Sequence, residues 1–225
     1  MKKQILSISA TLLIASALVL TSCNKEDTNA PVITLKGDAS MTVDFKGTYA
    51  EPGATATDMD GKDNESDISS SIVTSGTVNT SSAEAYTVKY NVTDEAGNVA
   101  PEVSRTVNVK INASHMAASY STVDVSGGIT NTYPETVTAS SSDPNKIIVT
   151  KFGFYDNAGV YIILSGANGT TVTVPSQSLV CGNPAATRQF SGDGTISKDG
   201  KTITVNYTEV TNGTTTTGVG TYTKQ

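Results

Sequence analysis

The chain has no tryptophan, a single histidine and only two cysteines among its 225 residues. A zinc site requires several histidine or cysteine ligands, and a serine or cysteine nucleophile requires a base such as histidine. The one histidine, His115, lies in a short polar segment that we interpret as a linker. The sequence also has no phosphate-binding loop and no dinucleotide fingerprint. These absences predict a protein that is not an enzyme, and they leave binding and structural roles open.

Basic residues are also in the minority. Lysine and arginine together number 15 against 21 aspartates and glutamates, which gives a net charge of −6. Proteins that bind nucleic acid carry a basic surface patch, so we expect no nucleic-acid partner. The chain beyond residue 23 shows no helical periodicity and is rich in Thr, Val, Ser, Gly and Tyr. This composition favours short strands joined by turns, and it predicts an all-β protein.

Residues 1–22 are arranged like a secretory signal peptide. Two lysines follow the initiator methionine, and an apolar segment extends from Ile5 to Leu20. This segment is shorter than the roughly 20 apolar residues of a membrane span, and serine and threonine interrupt it. The sequence Leu20-Thr21-Ser22-Cys23 resembles a bacterial lipobox. The resemblance implies that Cys23 is acylated and becomes the mature N-terminus, at the start of a polar tether over residues 23–29.

The residues that follow the cysteine, Asn24-Lys25-Glu26-Asp27, resemble the export signal of Bacteroidetes surface lipoproteins. The resemblance implies a protein that is lipid-anchored in the outer membrane and faces the outside of the cell. In these bacteria such lipoproteins are often encoded beside outer-membrane importers. Polysaccharide and an outer-membrane importer complex are therefore the partners that we expect, besides the membrane reached through the lipid.

Residues 30–111 contain the clearest strand pattern. In residues 86–92, Tyr and Val alternate with polar residues, and residues 103–111 repeat that alternation. A period of two is typical of a strand with one buried face. The sequence Asp94-Glu95-Ala96-Gly97-Asn98 lies between the two segments and is rich in turn-forming residues. We therefore predict an antiparallel hairpin here.

Several strings in this region resemble the bacterial immunoglobulin-like surface domain that also occurs in some pesticidal crystal proteins. They are APVITLKGD, YAEPGATATDMDG, DISSSIVTSGTVNTSSAEAYTVKYNVTDEAGNVA and RTVNV. The resemblance implies that residues 30–111 form a small immunoglobulin-like β-sandwich. It also implies a non-catalytic domain that serves as a repeat or spacer on a secreted protein.

An acidic run over residues 58–67 offers several carboxylates on a predicted loop. Calcium takes six to eight oxygen ligands. The candidate calcium ligands are Asp58, Asp60, Asp63 and Asp67. The run does not fit the EF-hand template, which requires glycine at the sixth position, and a solvated acidic loop is the simpler interpretation. Asp94 and Glu95 in the hairpin turn add ligands only if the fold brings them near.

Residues 112–116 are interpreted as a linker, and residues 117–225 as a second β domain. The predicted strands of this domain are residues 120–125, 135–140, 147–154, 160–164, 171–174, 189–196, 201–207 and 218–223. Eight short strands separated by Asp-Gly and Asn-Gly turns form either a second antiparallel sandwich or a small barrel. The C-terminal strings GDGTISKDGKTITVNY and GVGTYTK resemble β domains of unassigned function in Bacteroidetes surface lipoproteins.

Aromatic residues cluster around one predicted hairpin of this second domain. Strand alternation places Phe152 and Phe154 on one face, in the core, and places Tyr155 at a turn. Because sugars are bound by aromatic faces with polar groups beside them, we take three residues as a candidate ligand rim. The rim residues are Tyr155, Asn157 and Tyr161. A purely structural role for Tyr155 stays open, and the second cysteine, Cys181, is interpreted as a buried, inert thiol.

These observations predict a non-catalytic cell-surface lipoprotein that binds a glycan or another nutrient ligand as part of a polysaccharide uptake system. The alternative is a structural spacer or adhesion protein that contacts a protein partner. No cofactor is expected, apart from calcium at the acidic run.

Overall fold

The computed structural model describes residues 26–225, so Cys23 and the signal peptide lie outside the described residues. These 200 positions form 15 strands, one α-helix of a single turn and two short 3-10 turns. Among them, no helix has the length and apolar character needed to cross a bilayer. The predicted all-β class is confirmed.

The first domain consists of two sheets that enclose a small core. Its strands are β1 (Val32–Leu35), β2 (Ser40–Asp44), β3 (Ala54–Met59), β4 (Glu65–Asp67), β5 (Val73–Ser75), β6 (Ala85–Asn91) and β7 (Val103–Lys110). The sheets have the strand orders β1-β3-β4 and β2-β7-β6-β5. The predicted hairpin is present as β6 and β7, and β2 pairs with β7 in parallel.

The alternation in β6 explains how this domain folds. Val88 and Tyr90 are buried, whereas Thr87 and Lys89, which alternate with them, are exposed. The buried residues meet Ile33 and other apolar side chains of the opposite sheet in one cluster. Burial of an apolar side chain of this size contributes roughly 1.5–3 kcal/mol, so this alternation sets which face of the hairpin turns inward.

The second domain is a closed eight-stranded antiparallel barrel. Its strands are β8 (Ala118–Ser126), β9 (Ile129–Ala139), β10 (Lys146–Val149), β11 (Val160–Ser165), β12 (Thr171–Cys181), β13 (Ala186–Ile196), β14 (Thr202–Thr211) and β15 (Thr214–Lys224). Each strand pairs with the next in sequence, and β15 pairs with β8 to close the barrel. Of the two predicted architectures, the barrel is the one observed.

The turns of the barrel follow the sequence signals in one place and depart from them in another. Asn212 and Gly213 form the two-residue turn between β14 and β15 with φ of 51° and 77°, as expected for an Asn-Gly hairpin. The predicted strand over residues 147–154 is wrong, because β10 ends at Val149. Gly153 and Phe154 adopt positive φ in a 3-10 turn, so Phe152 is fully buried while Phe154 is 52% exposed.

A short helix, α1 (Ala113–Met116), connects the two domains in the segment that we interpret as a linker. The side-chain oxygen of Asn112 accepts hydrogen bonds from the backbone N–H groups of Ser114 and His115, at 3.1 and 3.4 Å. These bonds satisfy donors that the first turn of a helix leaves unpaired. The linker is therefore an ordered element of the structure.

The first domain covers one end of the barrel. We call this the proximal end, and it includes the loops over residues 166–170 and 197–201. The N–H of Ile111 donates to the carbonyl oxygen of Asn168 (2.9 Å), and the N–H of Ala83 donates to that of Lys198 (2.8 Å). Phe45 and Ile111 of the first domain belong to the same buried cluster as the apolar interior of the barrel. The two domains thus share this hydrophobic core, and the first domain also keeps the separate cluster that contains Val88 and Tyr90.

Candidate functional site

The acidic run forms the turn between β3 and β4. Asp60 organises this turn, because its Oδ1 accepts from the N–H groups of Lys62 (2.8 Å) and Asn64 (2.9 Å) and its Oδ2 accepts from the Asn64 side chain (2.9 Å). Asp67 accepts hydrogen bonds from the hydroxyl and N–H of Ser69. The bonds from Asn64 lower the pKa of Asp60, and those from Ser69 lower the pKa of Asp67. The two carboxylates therefore stabilise their own loops.

Asp58 is in a different environment from the rest of the run. It lies in β3 with 8% of its surface exposed, and its Oδ1 is buried without a hydrogen-bond partner among the described residues. Ligand oxygens of Asp27, Asp58 and Asp94 all lie within 4.8 Å of one another, and we call these three residues the carboxylate cluster. Burial raises the pKa of Asp58, and the charges of Asp94 and Asp27 raise it further.

The carboxylate cluster shares only Asp58 with the predicted calcium ligands. Asp60, Asp63 and Asp67 are outside it. The fold does bring Asp94 from the β6–β7 turn to Asp58, which was the condition stated from the sequence. Asp27 belongs to the tether, where the sequence indicated a role in export but none in metal binding. Sequence reasoning missed it because 31 positions separate it from Asp58.

Two asparagines hold the three segments of the carboxylate cluster together. The Asn29 side chain donates to the carbonyl oxygen of Met59 (2.8 Å), which ties the tether to the end of β3. The Asn98 side chain donates to the carbonyl oxygen of Asp27 (3.2 Å) and to Oδ2 of Asp94 (2.8 Å). Three carboxylates in a fixed arrangement, with no nitrogen or sulfur ligand, suit a hard divalent cation.

The other end of the barrel, which we call the distal end, carries the loop over residues 150–159. Tyr155 of this loop donates its hydroxyl to Oε2 of Glu209 (2.9 Å). Arg188 forms an ion pair with Glu209, and its guanidinium carbon lies 3.9 Å from the centre of the Tyr155 ring. Burial and the bond to Glu209 raise the pKa of Tyr155. Tyr155 is thereby attached to the barrel wall.

Two further carboxylates inside the barrel have hydrogen-bond partners. Glu135 accepts hydrogen bonds from the N–H groups of Thr150 (3.1 Å) and Lys151 (2.8 Å). Asp124, fully buried, accepts from the hydroxyl of Tyr207 with both oxygens at 3.0 Å. Burial raises the pKa of Asp124. Glu135 therefore attaches the distal loop, and Asp124 holds the Tyr207 ring inside the barrel.

The other two rim residues keep part of their surface on the outside. Asn157 has a φ of 61° and lines an open cleft of about 410 Å³ with Lys151 and Asp156. Tyr161 lies on the outer face of β11, where the ammonium of Lys146 is 5.3 Å from its ring centre. The structure thus places Tyr155 in the distal loop, bonded to the barrel wall through Glu209, and Asn157 and Tyr161 at the surface.

An open groove of about 800 Å³, the outer groove, crosses the outside of the barrel over β13, β14, β15 and β8. Its lining residues include Ser191, Asp193, Asn206, Thr208, Thr217, Val219 and Val125. The strand pairing aligns them in two rows, Asp193–Asn206–Val219–Val125 and Ser191–Thr208–Thr217. None of these residues belongs to the predicted ligand rim, although the threonines that alternate along β14 and recur in β15 are a signal for an outward polar face.

Neither His115 nor Cys181 has the surroundings of a catalytic group. Nδ1 of His115 accepts from the N–H of Asn112 (3.1 Å), and burial lowers the pKa of this imidazole. The Cys181 thiol is 3% exposed, and burial raises its pKa. A thiol with a raised pKa is a poor nucleophile. Both residues are structural in the described part of the chain.

The first domain can be assigned from its sequence as well as from its two sheets. Residues 33–109 match the family described as bacterial surface protein, Ig-like domain. The first domain is a bacterial surface Ig-like domain. This domain provides Asp58 and Asp94 of the carboxylate cluster and covers the proximal end of the barrel, while the outer groove belongs to the barrel alone. No curated protein matches the chain.

Two solved structures are similar to the chain over most of its length. One is the lipoprotein BT2262 from Bacteroides thetaiotaomicron, with 19% identity, a TM-score of 0.35, and coverage of 87% of this chain and 100% of that one. The other is a candidate outer membrane protein from Bacteroides fragilis, with 9% identity, a TM-score of 0.34, and coverage of 88% of this chain and 89% of that one. Neither description names a ligand.

Proposed function

We propose that the protein is a non-catalytic lipoprotein of the outer cell surface that captures a glycan on the outer groove. Acylation of Cys23 anchors the chain, and the Ig-like domain holds the barrel away from the membrane. The single observation that carries the proposal is the pair of outward-facing rows, one across four strands and one across three, in which five of the seven side chains are polar. Each row crosses the strands at steps of about 4.8 Å, so the rows present a continuous set of side chains to an extended ligand.

The chemistry of the outer groove favours a polar polymer over a small apolar molecule. Sites for small apolar ligands are enclosed and lined mainly by hydrophobic side chains. The outer groove is open, and Asp193, Asn206 and Thr217 supply carboxylate, amide and hydroxyl groups. Val219 and Val125 are 38% and 43% exposed at one end of the row, where they offer apolar contact to the C–H face of a sugar.

The same proposal includes the surface members of the rim as a second contact region. Asn157 and Tyr161 expose an amide and part of a ring, the groups from which sugar sites are built. Tyr155 supports this region by holding the distal loop to Glu209, which is the structural role left open by the sequence. The outer groove and the rim involve different strands, so single substitutions separate their contributions.

A glycan-array screen of the full-length protein, followed by titration with the strongest hit, tests the proposal. The double variant Asp193→Ala/Asn206→Ala is expected to weaken binding at least tenfold. The matched control Thr195→Ala/Thr204→Ala alters the adjacent outward pair on the same two strands and is expected to leave binding unchanged. Loss of binding only in Asn157→Ala and Tyr161→Ala would move the site to the rim.

The second candidate function is that of a rigid spacer or adhesion protein. It is favoured by the core that the Ig-like domain shares with the barrel, because a shared core fixes the distance between the Ig-like domain and the distal end. This function predicts no hit on the glycan array. It also predicts that a photo-crosslinker at Asn212, in the distal turn, recovers one defined protein partner on intact cells.

A further inference from the structure

The carboxylate cluster brings three acidic groups together, and the described residues do not compensate their charge. Asp58 is more than nine-tenths buried, and its Oδ1 has no hydrogen-bond donor. A buried carboxylate oxygen without a donor is costly, and here two further carboxylates lie beside it. None of the ion pairs formed among residues 26–225 includes Asp27, Asp58 or Asp94. Within the described part of the chain, the cluster therefore has no positively charged partner.

We propose that Asp27, Asp58 and Asp94 bind one calcium ion, and that this ion fastens the N-terminal tether to the Ig-like domain. The inference is independent of the outer groove and of the proposed glycan. It replaces the ligand set predicted from the acidic run, since only Asp58 is common to both sets.

The distances within the cluster fit calcium. Calcium–oxygen distances are about 2.3–2.6 Å, so two oxygens on one ion can be separated by at most about 5 Å. The ligand oxygens of the three residues lie within 4.8 Å of one another. Three carboxylates supply up to six oxygens, and water completes the shell of six to eight that calcium prefers. Magnesium requires oxygens at about 2.1 Å in a strict octahedron, which favours calcium at this spacing.

The surrounding hydrogen bonds leave the cluster open for an ion. Asp94 accepts from the N–H and side chain of Asn98, and Oδ1 of Asp27 accepts from the N–H of Asn29 (3.0 Å). A carboxylate has about four acceptor positions, so both residues keep positions for a metal. The unpartnered Oδ1 of Asp58 has all of its acceptor positions free. The asparagines therefore orient the ligands without occupying the site.

The proposal has a consequence for the geometry of the whole protein. The three ligands come from separate segments, which are the tether, β3 and the β6–β7 turn. Asp27 is only four positions after Cys23. An ion bound by all three segments would fix the domain close to its lipid anchor. Removal of calcium would release the tether and let the domain pivot.

The test is thermal unfolding and calorimetric titration of the full-length protein in detergent, with calcium, with magnesium and with a chelator. Free calcium at about 100 times its dissociation constant is expected to raise Tm by about 5–10 °C. Asp58→Asn, which removes the charge and keeps the shape, is expected to abolish this rise. Glu95→Gln removes an exposed acid beside Asp94 and is the matched control, which keeps the full response.

Two further measurements distinguish metal binding from a purely structural role of Asp58. In chelator, Asp58→Asn is expected to be at least as stable as the parent, because it removes an unpaired buried charge. Calcium is expected to shift the amide NMR signals of Asn29 and Asn98, which bond to the outer two ligands. The proposal is overturned if calcium leaves Tm unchanged, if Asp58→Asn retains the calcium response, or if magnesium produces an equal rise.

Discussion

The carboxylate of Glu51 lies 3.0 Å from Nε of Arg105, whose side chain is completely buried in the Ig-like domain. The same guanidinium donates to the carbonyl oxygens of Lys36 (2.7 Å) and Gly53 (3.2 Å). The hydroxyl of Tyr90 donates to Glu51 from the other side. Chain segments that are distant in the sequence therefore meet at the Glu51–Arg105 ion pair. This contact gives a structural role to Glu51, the acidic residue of the string YAEPG.

We expect Glu51→Ala to destabilise the protein by about 2–4 kcal/mol, since it leaves the Arg105 charge buried and unpaired. This expected loss of stability is smaller than for a fully buried ion pair, because 24% of the Glu51 side chain is exposed. Urea denaturation measures the change. Glu102→Gln is the control, because its pair with Lys89 is exposed, and we expect a cost below about 1 kcal/mol. Equal costs for the two variants would contradict a special role for Arg105.

The ring of Tyr207 inside the barrel leaves no room for a side chain at Gly218. A Cβ at residue 218 would lie 2.4 Å from Cζ of that ring, and the ring cannot move freely because Asp124 binds its hydroxyl. We expect Gly218→Ala to cost about 1–3 kcal/mol through overpacking. Gly159→Ala meets no atom within 4 Å and serves as the control in the same urea titration. If Gly218→Ala leaves the stability unchanged, the Tyr207 ring can adopt another position and the prediction is wrong.

Asp124 gives a prediction about pH. Burial raises its pKa above the ordinary 3.8, so its contribution to stability is present below pH 3.8 and is lost as the pH rises through the raised value. Asp124→Asn keeps an oxygen that accepts from Tyr207 and removes the charge. We expect this variant to be more stable than the parent at pH 7, with a difference that shrinks as the pH falls toward 3.8. Chemical denaturation of both proteins across that range measures it.

The shared core predicts that the two domains unfold together. Ile111 of the Ig-like domain is fully buried against the proximal end of the barrel. We expect Ile111→Ala to cost about 2–5 kcal/mol and to lower the midpoint for both domains equally. NMR signals from each domain, followed in urea, measure the two midpoints, and Val99→Ala at an exposed position is the control. Barrel signals that outlast those of the Ig-like domain would refute a shared core.

Local patterns in the sequence were sufficient for the parts of the fold that depend on neighbours in the chain. Alternation identified the β6–β7 hairpin, and Asn212-Gly213 identified the last turn of the barrel, because period and turn chemistry act within a few residues. The same alternation failed at Phe152 and Phe154. Gly153 between them was the available signal, since glycine readily adopts the positive φ that ends the strand.

The remaining features depend on residues that are far apart in the chain. Closure of the barrel requires β15 to pair with β8, and no local pattern distinguishes this from an open sandwich. Asp58 could be named as a candidate ligand because it lies in an acidic run. Asp27 and Asp94 could not be joined to it, because their proximity depends on the path of the tether and on the packing of two sheets.

Closure of the barrel also determines which parts of the backbone remain able to pair with another molecule. All eight barrel strands have a neighbour on both sides, although β9 pairs with β10 only over Val137–Ala139 and β12 pairs with β11 only over Thr171–Thr173. The strands with one side wholly unpaired belong to the Ig-like domain, where β1, β2, β4 and β5 are three to five residues long. Short edges resist strand addition. The sheet edges of the Ig-like domain are therefore poorly suited to forming intermolecular sheets.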